Sequence, residues 1–205
     1  MIPKWLEWTN RLQAIAQSGL TYARDPFDVE RYEMIRDITA EIAATHSDAE
    51  LGYVRDLFAH EAGYATPKVD VRGAVFRGDT VLLVKEREDG RWTLPGGWAD
   101  VNISPSENVV KEVYEESGYR TRAVRLLALY DRHKHAHPPQ IFHSYKLFFQ
   151  CNIIGGSASQ GLETDGVEFF HEHEIPELSV ARVTPAQIAR LFDCYRHPDW
   201  PTDFD

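Results

Sequence analysis

The spacing of hydrophobic residues changes near residue 65, and this change constrains the fold more than any other feature of the chain. Up to residue 64, apolar side chains recur three or four positions apart, which is typical of amphipathic helices. After residue 68, valine-rich runs follow one another across short turns, which is typical of strands. Glycine, threonine and proline between the two regions indicate a linker. The sequence therefore predicts a helical segment, residues 1–64, and a larger domain that contains a sheet, residues 68–205.

Three helices are predicted in the first segment. The first helix ends near Gly19, the second begins at Pro26, and Ser47 caps the third through a capping box with Glu50. The apolar stripes of the first two helices are expected to be buried. They comprise Trp5, Trp8, Leu12, Ile15 and Ala16 in the first helix, and Val29, Tyr32, Ile35, Ile38 and Ile42 in the second.

The larger domain combines short strands with a few helices, which predicts an α/β (α+β) fold. A hairpin turns at Gly78, and Thr184 followed by Pro185 predicts the start of the last helix. Further strands are indicated near residues 124–130, 142–153 and 167–170.

The charge balance disfavours nucleic acid and anionic membranes as partners. The chain has 22 lysines and arginines against 32 aspartates and glutamates, a formal net charge of −10. Residues 1–66 share this bias, with six basic and eleven acidic side chains. Phosphate contacts are made by lysine and arginine, so a binder of such partners needs the opposite balance. With two cysteines, no signal-peptide pattern and no run of about 20 apolar residues, a cytoplasmic protein is expected.

A short helix with an unusual charge pattern is predicted between Ser104 and Gly118. Ser104 forms a capping box with Glu107, and Gly118 ends the helix. Like charges three or four positions apart cost roughly 0.2–0.5 kcal/mol per pair, and the helix dipole disfavours anions in the last turn. A divalent cation would remove this repulsion, whereas a solvated acidic face is the alternative reading. The repulsion concerns three of the helix's glutamates, which lie within an arc of about 100°: Glu112, Glu115 and Glu116.

Residues 96–119 resemble the Nudix box. That family motif runs Gly, five residues, Glu, seven residues, and then Arg-Glu-aliphatic-any-Glu-Glu-any-Gly-aliphatic. Aligned on Gly97, the three glutamates and Gly118 stand at the family's positions. Lys111 stands in place of the arginine, and Ile103 in place of the first glutamate. Lysine keeps the charge but lacks the planar fork of arginine, and isoleucine cannot position the loop as glutamate does.

The whole chain is similar to a Nudix subgroup described as hydrolases of X-linked nucleoside diphosphates, which includes CDP-choline and ADP-ribose pyrophosphatases. This similarity rests on the helical segment, with its residues 20–22 and 28–32, and on residues 96–101. It implies a mixed sheet sandwiched by helices, and a homodimer built partly from the N-terminal helices. It also implies Mg²⁺-dependent hydrolysis, with Mn²⁺ as an alternative ion, of the pyrophosphate bond to a nucleoside monophosphate and a phosphorylated partner.

The resemblance also implies which residues act. Glu112, Glu115 and Glu116 are the expected metal ligands and catalytic residues, together with a backbone carbonyl near Gly97. In related enzymes, the general base is either a box glutamate or a glutamate on a later loop. Our candidate on such a loop is Glu163, and Glu168 is the second choice.

Four further residues are candidates for substrate binding. Each has a simpler alternative role, in surface charge, in packing beside the glycine turn, or in a solvated loop that contains three histidines. These candidates are Arg87, Trp98, His135 and Lys146.

The two departures from the box motif keep a second function open. Ile103 and Lys111 are compatible with a non-catalytic ligand sensor that uses the same fold, with the helical segment as a partner-binding arm. The sequence determines neither the group X nor the preferred base, because selectivity among such conjugates lies in the shape of the pocket.

Overall fold

The computed structural model describes residues 2–205. Its helices are α1 (Lys4–Tyr22), α2 (Pro26–Thr45), α3 (Leu51–His60), α4 (Pro105–Ser117) and α5 (Pro185–Arg196). Its strands are β1 (Lys68–Arg77), β2 (Thr80–Glu86), β3 (Trp92–Thr93), β4 (Tyr119–Asp131), β5 (Ser144–Gly156), β6 (Thr164–His171) and β7 (Asp203–Phe204). None of the described helices combines the length and the apolar character that a membrane crossing requires. The chain forms two compact units, one up to Pro67 with Pro139–His143, and one of Lys68–Pro138 with Ser144–Asp205.

The first unit is helical, as predicted, but two predicted helix ends are wrong: α1 continues past Gly19 to Tyr22, and Ser47 does not cap α3. Helix α2 begins at Pro26 after an Asp25 side chain that accepts backbone hydrogen bonds, which satisfies donors at the helix start. Helix α3 begins after Glu50 without any side-chain cap. The Ser47 hydroxyl instead donates to the carbonyl of Ala43 at 2.8 Å, one turn back along α2. Its oxygen accepts from Ala49 N–H at 3.3 Å, before α3 begins, so both bonds of Ser47 lie in the turn and neither caps α3.

The predicted apolar stripes of α1 and α2 are only partly buried. The core of this unit includes Leu6, Ala16, Ala40, Ala43, Val54 and Phe58. Trp8, Ile15 and Ile38 belong to the predicted stripes but are more than half exposed. Three of the buried positions in α1 and α2 are alanines, Ala16, Ala40 and Ala43, whereas several large apolar side chains of these helices are exposed to solvent.

The second unit is built on a mixed sheet with the strand order β3-β2-β1-β5-β4-β7, and β6 pairs with β2. Strands β1 and β5 are parallel, whereas β4 and β5 are antiparallel. On one face, Val71 and Val75 of β1 pack with Val109 and Val113 of α4. On the other, the sheet packs against α5 through a cluster that contains Ala74, Phe148, Leu191 and Phe192. The sheet is therefore covered by a helix on each face, which confirms the predicted α/β class.

The segment before α4 is fixed to β1 by backbone hydrogen bonds. Val71 N–H donates to the carbonyl of Gly97, and Gly73 N–H to the carbonyl of Pro95, both at 2.8 Å. Gly96 has a φ of +142°, and a Cβ at this position would lie 2.0 Å from the Val71 carbonyl oxygen. Only glycine allows this close approach. The glycine turn is thereby held at the sheet, next to the helix that carries the acidic residues.

Candidate active site

Helix α4 has the caps that the sequence predicts. The Ser104 hydroxyl accepts from the backbone of Glu107, whose carboxylate accepts from the backbone of Ser104 in return. Gly118 adopts the left-handed conformation with a φ of +75° and ends the helix. Since Val109 and Val113 are buried against the sheet, the rotation of the helix about its axis is fixed. This rotation turns part of the acidic arc towards the glycine turn.

Glu116 is the most buried of the three box glutamates, with 8% of its surface exposed. Its Oε2 accepts a hydrogen bond from Gly96 N–H at 3.0 Å. Burial raises the pKa of Glu116 to about 8, against the effect of Arg72 and the Gly96 N–H, and Glu86 and Glu112 add to the rise. A carboxyl group with such a pKa favours the neutral form near pH 7, unless a cation stabilises the carboxylate.

Glu112 lies on the same side of the helix, against Gly97. A Cβ on Gly97 would stand 3.1 Å from Glu112 Oε2, so the carboxylate lies close to the turn. Burial raises the pKa of Glu112, with Lys111 opposing the rise and Glu115 adding to it. Two neighbouring carboxyl groups with raised pKa values do not stabilise the fold at neutral pH. Such pairs are therefore typical of functional sites.

Lys111 connects the remaining carboxylate to this pair. Its ammonium lies 3.6 Å from Glu112 Oε1 and 3.4 Å from Glu115 Oε2, one turn further along the helix. It also bonds to Asp100 at 2.9 Å, a partner that the sequence did not indicate. Among the described residues, the three glutamates do not form a set with all ligand atoms within 4.8 Å of one another. Glu115 is the most exposed of them and has the greatest freedom to reorient.

Asn108 holds the loop in which isoleucine replaces the first glutamate of the motif. Its side chain is fully buried, accepts from Asp100 N–H at 3.0 Å, and donates to the carbonyls of Asp100 and Ile103 at 3.3 and 3.2 Å. The Ile103 side chain itself is exposed. The loop is therefore anchored from within α4 by Asn108, and it does not depend on a carboxylate at position 103. Sequence reasoning missed this residue because one asparagine within a helix carries no distinctive pattern.

A buried ion-pair network lies behind the glutamates. Arg72 binds Asp70 through two hydrogen bonds of 2.9 Å and donates to the Leu94 carbonyl at 3.2 Å. Lys146 donates to the same Asp70 at 2.8 Å. Arg72 also acts electrostatically on Glu116, which links the network to the acidic helix. Asp70 and Arg72 alternate with valines in the sequence, and this spacing was the one available signal that both point to one face of the strand.

Comparison with protein families shows two matches. Residues 66–192 match the model of the NUDIX domain, which is more than half of the chain. Residues 3–58 match a model described as a UDP-X-like, N-terminal oligomerisation domain.

The chain belongs to the Nudix hydrolase superfamily.

Full-length relatives support this assignment. A putative ADP-ribose pyrophosphatase of Bacillus subtilis (strain 168) is 50% identical over 202 residues, which cover 98% of this chain and 97% of the relative. The crystal structure of a UDP-X diphosphatase matches 98% of both chains with 33% identity and a TM-score of 0.65. An ADP-ribose pyrophosphatase structure from Streptococcus suis matches 68% of this chain and 100% of its own, with 41% identity and a TM-score of 0.63. The chain is thus a Nudix hydrolase that resembles ADP-ribose and UDP-X pyrophosphatases.

The donor set of the Nudix helix fits a hard divalent cation. Glu112 and Glu116 present carboxylate oxygens beside Gly97, and Mg²⁺ and Mn²⁺ prefer oxygen ligands. Burial raises the pKa of both groups, and a bound cation would stabilise their ionised forms. The Gly97 carbonyl accepts from Val71 N–H but keeps a second lone pair. The residues present are therefore suited to hold such an ion.

The loop of Glu163 is anchored to the end of the Nudix helix. Thr164 Oγ1 donates to the Glu116 carbonyl at 2.8 Å and accepts from Gly161 N–H at 2.9 Å. The guanidinium of Arg87 donates to the carbonyls of Thr164 and Gly161 at 3.1 and 3.4 Å. Glu163 itself is exposed. In this conformation Arg87 holds the loop, and a role of Arg87 in substrate binding stays a prediction.

The other three substrate-binding candidates lie in different surroundings. Trp98 is half exposed, next to Asp70 by a backbone bridge. The His135 ring contacts the Tyr130 ring at a tilt of 38°, and its Nε2 lies 3.1 Å from an Asp205 carboxylate oxygen. Lys146 is buried in the ion-pair network. The structure thus brings together Gly97 and the box glutamates, whereas these candidates remain predictions.

Glu86, at the end of β2, is a second buried carboxylate that sequence reasoning missed. It is 5% exposed, and Arg182 Nε lies 3.1 Å from its Oε1. Burial raises the pKa of Glu86 although Arg182 and Arg72 oppose the rise, and Glu163 adds to it. Glu86 therefore belongs to the electrostatic surroundings of both Glu116 and the Glu163 loop. A glutamate at a strand end gives no signal of burial in the sequence.

Proposed function

We propose that this Nudix hydrolase cleaves the pyrophosphate bond of a nucleoside diphosphate linked to another group, in a reaction that depends on Mg²⁺ or Mn²⁺. The products are a nucleoside monophosphate and a phosphorylated partner. ADP-ribose is the first substrate to test, because the relative that is 50% identical over nearly the full length carries that name. CDP-choline and UDP- or ADP-linked sugars are the other members of the proposed class. The observation that carries the proposal is the buried Glu116, hydrogen-bonded to Gly96 beside Glu112.

The roles of the side chains follow from their positions. Gly96 N–H fixes one oxygen of Glu116, and burial against the sheet restrains the helix, so the carboxylates are preorganised. A bound divalent ion neutralises the diphosphate and lowers the pKa of an attacking water. Arg72 remains charged beside Glu116 and favours its ionised form. Glu163 is the proposed acceptor of the proton from water, on a loop that is tied to Glu116 through Thr164.

A substrate screen tests the proposed function. The purified chain is incubated with ADP-ribose, CDP-choline, nucleotide sugars and dinucleotides, with Mg²⁺, with Mn²⁺ or with a chelator, and a phosphatase-coupled assay detects the monoester products. We expect turnover of at least one conjugate with a divalent ion and none with the chelator. Tight binding of a conjugate without turnover would contradict the proposal and would point to the ligand sensor.

We further propose that the first unit forms a homodimer through an apolar surface on α1 and α2, here called the heptad surface. Its residues are spaced by seven or four positions, so they follow one line along each helix. They lie between 52% and 67% exposed, which is unusual for large apolar side chains at such spacing. The match to an oligomerisation domain covers both helices. The heptad surface comprises Trp8, Ile15 and Tyr22 on α1, and Phe27, Met34 and Ile38 on α2.

Substitution within the heptad surface should produce monomers. A variant with Trp8→Glu and Ile15→Glu places two charges where a second copy would bury apolar area, and we expect light scattering to give half the mass of the wild type. Arg24→Glu, an exposed change outside the surface, serves as the control and should leave the mass unchanged. A wild-type chain that is monomeric at micromolar concentration would contradict the proposed dimer.

A further inference from the structure

A cluster of buried positive charge adjoins the Nudix site and has no evident role in holding the metal. We call it the cation cluster, and it consists of Arg72, Arg132 and Lys146 around Asp70. Arg72 and Lys146 both donate hydrogen bonds to Asp70, and Asp70 also acts electrostatically on Arg132. Asp70 is the carboxylate that all three cations share, while Glu116 and Glu86 act on Arg72 from the side of the Nudix helix.

The strand register explains why the cluster forms. Strands β4 and β5 pair Tyr130 with Lys146 in antiparallel register. Arg132 follows Tyr130 by two positions and Ser144 precedes Lys146 by two, so both lie at the same end of this pair of strands. Side chains two positions apart in a strand share a face, which places Ser144 on the face of Lys146. A buried hydroxyl is thereby added to the buried cations.

Two donors in this region have no partner within residues 2–205. They are Arg132 Nε and Ser144 Oγ, on residues that are 4% and 1% exposed. The Arg132 guanidinium makes one hydrogen bond, from Nη2 to the Ala181 carbonyl, and its length is 3.4 Å. Buried donors are almost always paired, and an unpaired one is costly. The cluster therefore offers two unsatisfied donors among buried cations, and an anion would satisfy these donors.

The neighbouring titratable groups respond to the same charge. Burial lowers the pKa of Lys146 to about 8, and Arg72 and Arg132 add to the decrease while Asp70 opposes it. Burial also lowers the pKa of His137 to about 4, with Lys146 and Arg132 adding to the decrease. The imidazole is held neutral between the Val180 carbonyl, 2.7 Å from Nδ1, and Gln187 Nε2, 3.1 Å from Nε2. It supplies no charge of its own.

We propose that the cation cluster is a phosphate-binding site, in which Arg132 Nε and Ser144 Oγ donate hydrogen bonds to phosphate oxygens and Lys146 contributes charge. Phosphate suits this set because its oxygens accept several charge-assisted hydrogen bonds at once. The inference rests on the proposed function in one respect, that the phosphate belongs to the conjugate. Arg72 donates to the carbonyl of Leu94, two residues before Gly96, whose N–H bonds to Glu116, so the cluster adjoins the turn that holds the glutamates.

Access to the cluster is through loops. Arg132 and His137 follow β4, and they bond to the carbonyls of Ala181 and Val180, which precede α5. No strand pairing has to break when these two segments separate. Arg132 and Ser144 are 4% and 1% exposed, so a phosphate would reach their donors by a local opening of these segments.

Ser144→Ala separates a binding role from a structural one. The hydroxyl has no protein partner, so a purely structural residue would tolerate its removal without loss of stability. For a binding residue, we expect the Kd for inorganic phosphate to rise about 10–100-fold, as for a hydrogen bond to a charged group. Calorimetric titration with phosphate in the presence of a chelator measures this without contribution from a metal. Ser157→Ala, on an exposed serine just beyond β5, is the matched control.

A second pair of variants tests the arginine. Arg132→Gln should abolish measurable phosphate binding, whereas Arg122→Gln, an exposed residue of β4, should bind as the wild type does. Circular dichroism and thermal melting verify the fold of each variant, and Ser144→Ala decides the question if Arg132→Gln does not fold. Wild-type protein that binds phosphate no better than chloride at matched ionic strength would overturn the inference, as would unchanged binding in Ser144→Ala.

Kinetics then connect the site to the conjugate. In Ser144→Ala, we expect the KM for ADP-ribose to rise about 10–100-fold with little change in kcat, since the substitution removes a binding contact and leaves the glutamates in place. An unchanged KM would show that the phosphate in the cluster does not belong to the conjugate. If no conjugate is hydrolysed, the proposed function fails while the phosphate titration still stands. If hydrolysis is normal and phosphate does not bind, this inference alone fails.

Discussion

Glu116→Gln is expected to lower kcat for the conjugate by about 10³-fold or more, because Glu116 is proposed to hold an ion that contributes several kcal/mol of transition-state stabilisation. The amide keeps the volume and can still accept from Gly96 N–H, so the fold should survive. A steady-state assay with ADP-ribose and Mg²⁺ measures the effect. Glu33→Gln, which removes one exposed charge on α2, is the control and should keep full activity.

The same variant should change the pH dependence of stability in the absence of metal. The pKa of Glu116 is raised from 4.5 to about 8, so the folded state keeps a proton that the unfolded state loses between these values. Stability contributed by this group is therefore present below pH 4.5 and is lost as the pH rises towards 8. Glu116→Gln removes this loss, and chemical unfolding in chelator at pH 8 should show a gain of about 1–3 kcal/mol. Full activity together with an unchanged pH profile would refute the role assigned to Glu116.

Asp70→Asn is expected to lower the free energy of unfolding by about 3–5 kcal/mol, because it removes the one carboxylate that pairs with two buried cations. Burial acts to raise the pKa of Asp70, but Arg72 and Lys146 outweigh it and hold the pKa below its usual value. Without the carboxylate, both cations remain buried and unpaired. Denaturant unfolding at pH 7 measures the loss.

A matched control is available for this change. Asp199→Asn alters an exposed aspartate and should shift stability by no more than about 0.5 kcal/mol. A loss of less than about 1 kcal/mol in Asp70→Asn would mean that the network contributes little to stability, because an unpaired buried charge costs more than that.

The features that the sequence predicted correctly depend on interactions between residues close together in the chain. The caps of α4 and α5 depend on residues within one turn of the helix end, and Ser104, Gly118 and Thr184 all act as predicted. The resemblance of the box to the Nudix motif located the glutamates in the same way, since all three lie on one helix. Interactions of this range are visible in a short stretch of sequence.

Other features depend on neighbours that a single strand or helix does not reveal. The alternation of Asp70 and Arg72 with valines fits an exposed face as well as a buried ion pair, and the choice depends on Lys146 of a strand far along the chain. Asn108 and Glu86 gave no pattern at all. The apolar stripes of α1 and α2 were predicted to be buried, but spacing alone does not tell which side of a helix meets the rest of the chain, as Trp8 shows.

The contact between the glycine turn and β1 bears on how an enzyme of this kind can evolve to accept new substrates. Gly96 and Gly97 are fixed on one side by the strand backbone and on the other by the two carboxyl groups of α4. The glycine turn thus takes its shape from backbone bonds to the sheet and from its contacts with α4. The loop that follows β4 can vary in length and composition without breaking these contacts. Selection for a new conjugate can therefore proceed at the periphery while the hydrolytic chemistry stays the same.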